Sequence, residues 1–224
     1  MVKKLSLVTL ILAGLFVLAS CASLDVVGTE SVNSFEKMLG ATTSLVSEDE
    51  MNGGWSLKAP DDSVRFIWSR DFSKSPIHDV MLELDAAPFV NAGLDVSKLP
   101  AGMAYEDMLM VGTKLGTQAI TYNGEATPLA SFKKIVELKR DVIKYHAALD
   151  HYGVDLGDGN AFEWAKDMST NDKDIVFVLD PKVFIDAGVD PSKVEGWVFA
   201  KVNTMDANNK PVEVDKFLKP FSIQ

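Results

Sequence analysis

The stretch "LDPKVFIDAGVDPSKV", Leu179 to Val194, repeats "LDAAPFVNAGLDVSKL", Leu84 to Leu99. With Asp79 set on Asp174, nine of the twenty positions from 79 to 98 are identical: Asp79, Leu84, Asp85, Phe89, Ala92, Gly93, Asp95, Ser97 and Lys98. Two unrelated segments of that length would share about one. The likeness continues upstream with a one-residue slip, "FIWSRDFS" (66–73) against "FEWAKDMS" (162–169). Self-similarity of this kind reads as an internal duplication and organises the rest of the chain.

Each copy has the same local logic. The runs "HDVMLELD" (78–85) and "KDIVFVLD" (173–180) are short, apolar and rich in β-branched or large residues, the pattern of a mostly buried strand. Asp85 and Asp180 stand at the N-cap of a short helix, with Pro181 at its first position and Phe89 or Phe184 on its apolar face. Gly93 and Gly188 end that helix, where the chain needs a backbone conformation that glycine adopts freely. Asp95 and Asp190 then cap one further turn. Strands over Met103–Leu115 and Gly196–Met205 follow, each with a turn and a return strand. An amphipathic helix is expected over Ser131–Leu149, and "DKFLKPF" (215–221) reads as a helical stub ended by Pro220.

These readings predict an α+β fold: two duplicated β-β-α-β-β-α units in one two-lobed body, mostly antiparallel sheet. The units are expected at 51–150 and 151–224. Before them, 21–50 is rich in Ser, Thr, Gly and acids and reads as a flexible acidic tether, with at most a short helix near Ser34–Leu39.

The chain begins with basic "MVKK" and continues with an uncharged run from Leu5 to Ala19, the length of a secretory h-region and short for a membrane span. That run ends in "LASC", where Leu18, Ala19 and Ser20 precede Cys21, the one cysteine of the chain. The pattern resembles the lipobox of bacterial lipoproteins. The resemblance covers residues 1–21 and implies a signal peptide over 1–20, recognition of Leu18–Ala19–Ser20 by the signal peptidase, and diacylglycerol on the Cys21 sulfur together with an N-acyl chain such as palmitate. Two or more acyl chains suffice for stable membrane attachment. Ala22 and Ser23 follow the cysteine where an aspartate would favour inner-membrane retention. The implied location is therefore the outer membrane, or the outer face of the plasma membrane in a cell with one membrane.

Removing 1–20 deletes Lys3 and Lys4 and no acid. The mature chain then carries 20 basic against 32 acidic residues, a net charge of −12. Such a surface repels phosphates, so nucleic acid is not an expected partner. The partners expected are the membrane, through Cys21, and an envelope protein or cell-wall component. With Cys21 acylated no disulfide remains, and the core must stabilise the fold alone.

Catalytic signals are sparse: the sequence has no Gly-rich phosphate loop, nucleophile elbow, HExxH, paired-Cys motif or EF-hand loop. His146 and His151 flank Asp150, but their spacing does not put both imidazoles on one helical face, so no metal or other cofactor is expected. The acidic loops 153–160 and 167–174 are explained by turn chemistry rather than calcium. Trp68, Trp164 and Trp197 are the candidate ligand-contacting aromatics, with core packing as the competing role. The function expected is a lipid-anchored, non-catalytic binding or scaffolding module. The alternatives are a carrier or sensor of an apolar ligand in the cleft between the units, or a carboxylate hydrolase.

Overall fold

In chain order the protein runs helix, four strands, short helix and two strands, and then through the same series again. A computed structural model describes residues 27–223 apart from 75, 148, 169–173 and 206–209. The signal peptide over 1–20 and the lipobox residues Leu18, Ala19, Ser20 and Cys21 lie outside the described residues. The first series comprises α1 (27–41), β1 (Val46–Asp49), β2 (Gly54–Lys58), β3 (Val64–Ser69), β4 (Val80–Asp85), α2 (Ala87–Asn91), β5 (Ala104–Tyr105) and β6 (Met108–Thr113). The second comprises α3 (Pro128–Leu138), β7 (Ile143–His146), β8 (His151–Gly157), β9 (Asn160–Ala165), β10 (Ile175–Leu179), α4 (Lys182–Asp186), β11 (Val198–Met205) and β12 (Pro211–Phe221).

The fold is mixed α and β, dominated by two antiparallel six-stranded sheets. Their strand orders correspond, β1-β2-β3-β4-β6-β5 and β7-β8-β9-β10-β12-β11. The two apolar runs form the strands expected of them. Val80, Leu82 and Leu84 of β4, and Ile175, Phe177 and Leu179 of β10, alternate onto the inner face of their sheet and are fully buried. The two inner faces meet, with Phe66 of β3 stacked on Phe162 of β9 at 4.2 Å and nearly parallel. One apolar core runs through both sheets, from Phe35 to Phe217.

Residues 27–41, expected within the tether, form a helix whose Phe35 and Met38 are fully buried. The tether reading is therefore corrected. Its apolar positions, Val32, Phe35, Met38 and Leu39, are spaced three or four apart among Ser, Asn, Glu and Lys, and long-range packing rather than composition holds them. The two long helices also cross over. Ser34 on α1, at the head of the first series, accepts a hydrogen bond from Trp164 Nε1 of the second sheet (3.1 Å) and donates to the Ala165 carbonyl (3.1 Å). Conversely, Pro128 and Ser131 of α3 accept from Trp68 Nε1 (3.0 Å) and Trp55 Nε1 (3.1 Å) of the first sheet. Phe35 and Phe132, one from each helix, stack at 3.7 Å between the sheets.

At the opposite end of the strands the two short helices meet. Asp85 and Asp180 each accept the backbone N–H two residues on (2.9 Å in both), but the N-caps of α2 and α4 are the next residues, Ala86 and Pro181, a correction of one position. Asp95 and Asp190 cap the following 3-10 turns, Val96–Lys98 and Pro191–Lys193, as expected. Gly93 and Gly188 both have φ +107°. Their backbones lie so close that a Cβ on either would come within 2.8–2.9 Å of the other's carbonyl oxygen. Two reciprocal hydrogen bonds lock the corner, Asp95 N–H to Ala187 O (2.9 Å) and Asp190 N–H to Ala92 O (2.8 Å).

Three further expectations are corrected. The helix expected over Ser131–Leu149 ends at Leu138, because Lys139 leaves the helical region and the β-formers Ile143 and Tyr145 then enter β7. The stub "DKFLKPF" is strand, the last part of β12. Its Pro220 lies past Leu218, the last residue paired with β11, where one side of the strand has no neighbour and a missing N–H is tolerated. Met103–Leu115 is a hairpin, β5 and β6, turning at Glu106 with φ +53°. Each six-stranded sheet is thus preceded in the chain by a helix, and α3, after β6, stands before the second sheet rather than at the end of the first.

Candidate functional site

The candidate ligand-contacting tryptophans sit in the core. Trp68 and Trp164 are fully buried and Trp197 is 8% exposed. The first two have their indole N–H groups satisfied as above, and Lys219 reaches over the Trp197 ring at 5.9 Å while pairing with Asp61 of the first series (2.6 Å). These tryptophans pack the junction and present no ligand platform. Phe35 on Phe132, Phe66 on Phe162 and Phe89 on Phe184 (4.8 Å) fill the space where a cleft between units was expected.

Two surface features carry polar and aromatic groups together. The first is an open depression of about 460 Å³ at the end of α1, bordered by Leu39, Thr43, Val46, Glu48, Trp55 and Pro128. Trp55 is half-buried in its floor, and Arg70 lies 5.5 Å above the ring while pairing with Glu48 at 2.6 Å. The indole and the guanidinium stiffen each other by a cation–π contact. Trp55 was not among the candidates, and nothing in the local sequence separates it from the core tryptophans. It is distinguished by its outer strand, β2, with only the short β1 beyond.

The second feature is on the outer face of the second sheet. The β7–β8 hairpin sets His146 opposite His151, and Glu163 of β9 lies between them. His146 Nδ1 donates to Glu163 Oε1 at 2.9 Å, and His151 Nδ1 is 3.8 Å from Oε2. Glu163 is buried. Burial alone would raise its carboxyl, but the hydrogen bond from His146 and the closeness of both imidazoles outweigh it and bring the group down to about 2. The bond to Glu163 raises His146 above the ordinary histidine value, against an opposing desolvation. Sequence reading separated the two histidines because it expected a helix there; a hairpin places them side by side. Among the described residues no three His, Cys, Asp or Glu side chains are arranged to hold a metal ion.

The signs of these shifts fix a pH dependence. The Glu163 contribution is present above about 4.5 and is lost as pH falls through about 2. The His146 contribution is complete below 6.5 and is lost as pH rises through the raised value. The pair is therefore strongest between 4.5 and 6.5. The urea midpoint should fall from about pH 5.5 to about pH 8, and Glu163→Gln should reduce that fall. An unchanged pH slope in the variant would contradict the assignment.

Asp79 and Asp174, aligned in the sequence, are structural. Asp79 accepts from the Leu115 and Gly116 N–H groups (2.6 and 3.1 Å) and pairs with Lys114 (2.6 Å), and Asp174 accepts from Ile223 N–H (2.9 Å). Each ties down the chain as it leaves the strand next to the central one. Burial is the largest influence on Asp79 and leaves its carboxyl raised in spite of Lys114.

Comparison of the chain with protein families, with curated proteins and with solved structures gives no match in any of the three. Among the described residues no helix is long and apolar enough to cross a membrane.

Proposed function

We propose that this is a lipid-anchored protein of the cell envelope, held through Cys21, whose folded body is a duplicated, non-catalytic binding or scaffolding module. The location that goes with this reading is the outer membrane, or the outer face of the plasma membrane where there is only one. The anchor is supported by the basic start, the uncharged run Leu5–Ala19 and "LASC" before the lone cysteine. Duplication is supported by the nine identities and by the matched corners, where Gly93 with Gly188 and Asp95 with Asp190 hold equivalent places.

The observation that carries the module reading is the filled junction. Three ring pairs occupy the space between the units, so the body offers outer surfaces to a partner instead of an interior chamber to a small apolar ligand. A hydrolase would call for two neighbouring carboxylates with shifted titration in one cleft. Glu163 instead stands between two imidazoles.

The anchor is tested by expressing the full chain and Cys21→Ala with a clickable fatty acid and comparing their labelling and length. The wild-type protein should be labelled and shortened by removal of residues 1–20, and the variant should be unlabelled and keep its full length. Equal labelling would overturn the anchor. The module reading predicts cross-linking of the anchored body to an envelope component in intact cells. Turnover in a broad hydrolase screen would overturn it.

A further inference from the structure

The lipid fixes more than location, because so little chain separates it from the folded body. Cys21 lies six residues before position 27, where α1 is already formed, and six fully extended residues span at most about 20 Å. Whatever surrounds the first turn of α1 must therefore lie close to the bilayer.

That surrounding is the β7–β8 hairpin and its neighbours. The Arg140 guanidinium lies over Gly28, 2.2 Å from where a Cβ would stand. Glu30 accepts from Tyr152 Oη (2.8 Å) and pairs with Lys166 (2.9 Å). Lys166 in turn sits 5.7 Å over the Tyr145 ring, and Tyr145 Oη donates to Asp150 (2.6 Å) at the hairpin turn. The same hairpin exposes large apolar groups, Tyr145 at 40% and Leu149 at 60%. An aromatic ring with a polar tip, an exposed leucine and a lysine, Lys166, whose stem can lie along apolar surface suit the headgroup region of a bilayer.

We propose that the β7–β8 hairpin is the surface this protein lays on its own membrane, with Leu149 and Tyr145 entering the interface. This rests on the lipid anchor at Cys21. Neither side chain would hold the protein there alone; the anchor supplies the affinity and the hairpin sets the orientation. The α2–α4 corner, at the other end of strands about 20 Å long, then faces away from the membrane and presents Val90 and Ile185 to the periplasm or the medium.

The test uses the acylated full-length protein, in which an introduced cysteine is the one free thiol. Leu149→Cys and Ile185→Cys are each labelled with an environment-sensitive fluorophore and reconstituted into vesicles of phosphatidylethanolamine and phosphatidylglycerol, with and without a headgroup nitroxide. The label at 149 should shift to the blue and lose most of its emission to the nitroxide, while the label at 185 should do neither. If the protein floats with the vesicles but both labels behave alike, the orientation is wrong and the anchor stands. If acylated protein does not float while intact folding is shown by circular dichroism, both are overturned.

Discussion

Replacing Gly188 with alanine should lower the stability of the protein by about 3 kcal/mol, and Gly93→Ala by a similar amount. Two effects add at these positions. The backbone at φ +107° is one that L residues rarely adopt, and a new Cβ would meet the partner glycine's carbonyl at 2.8–2.9 Å. The obstacle is backbone held by the reciprocal hydrogen bonds of Asp95 and Asp190, so it can move only by opening the corner between α2 and α4. Gly124 is the control: its φ is +116°, and nothing lies within 4 Å of its would-be Cβ. Gly124→Ala bears only the conformational strain. The difference between the two urea midpoints therefore measures the contact across the corner. Equal midpoints for Gly188→Ala and Gly124→Ala would show that the corner is loose.

Phe35→Ala should cost about 3–5 kcal/mol, the range for deleting a buried aromatic ring. Phe35 is fully buried, stacked on Phe132 at 3.7 Å, and meets Trp68 and Trp164 edge-on at 5.5 and 5.2 Å. It is the place where both sheets and both long helices touch one side chain. Because natural domains are stable by only about 5–15 kcal/mol, this single truncation should remove a large share of the total. The near-ultraviolet circular dichroism of the surviving fold should also change, since two indoles lose the same neighbour. A loss below about 1 kcal/mol would mean that α1 lies on the body as an accessory.

What could be read from the sequence was local. Gly93 and Gly188, the capping aspartates and the apolar runs of β4 and β10 each declare themselves within a few residues, because turn chemistry and strand patterning depend on near neighbours. What could not be read depends on distant partners. The helix α1 has only scattered apolar residues, and Phe35 becomes a core residue through Trp164, 129 positions away by number and on the other sheet. The exchange of α1 and α3 leaves no mark on either segment's own pattern.

The outer-face cluster was hidden for a related reason. His146, His151 and Glu163 lie on three successive strands, and only the hairpin register brings them together. A helical reading of Ser131–Leu149 placed His146 on an element that ends at Leu138 and left His151 beyond it. The tryptophans show the reverse case: type and spacing marked Trp68, Trp164 and Trp197 as candidates, yet burial gives all three to the core and leaves Trp55 lining the depression at the end of α1.

The two sheets, joined by exchanged helices and one shared core, form a single cooperative unit. Differential scanning calorimetry of the Cys21→Ala protein tests this. One transition with equal calorimetric and van't Hoff enthalpies is predicted, since neither sheet keeps its core without the other's helix. Two separable transitions, or a calorimetric enthalpy about twice the van't Hoff value, would contradict this and show that the halves unfold independently.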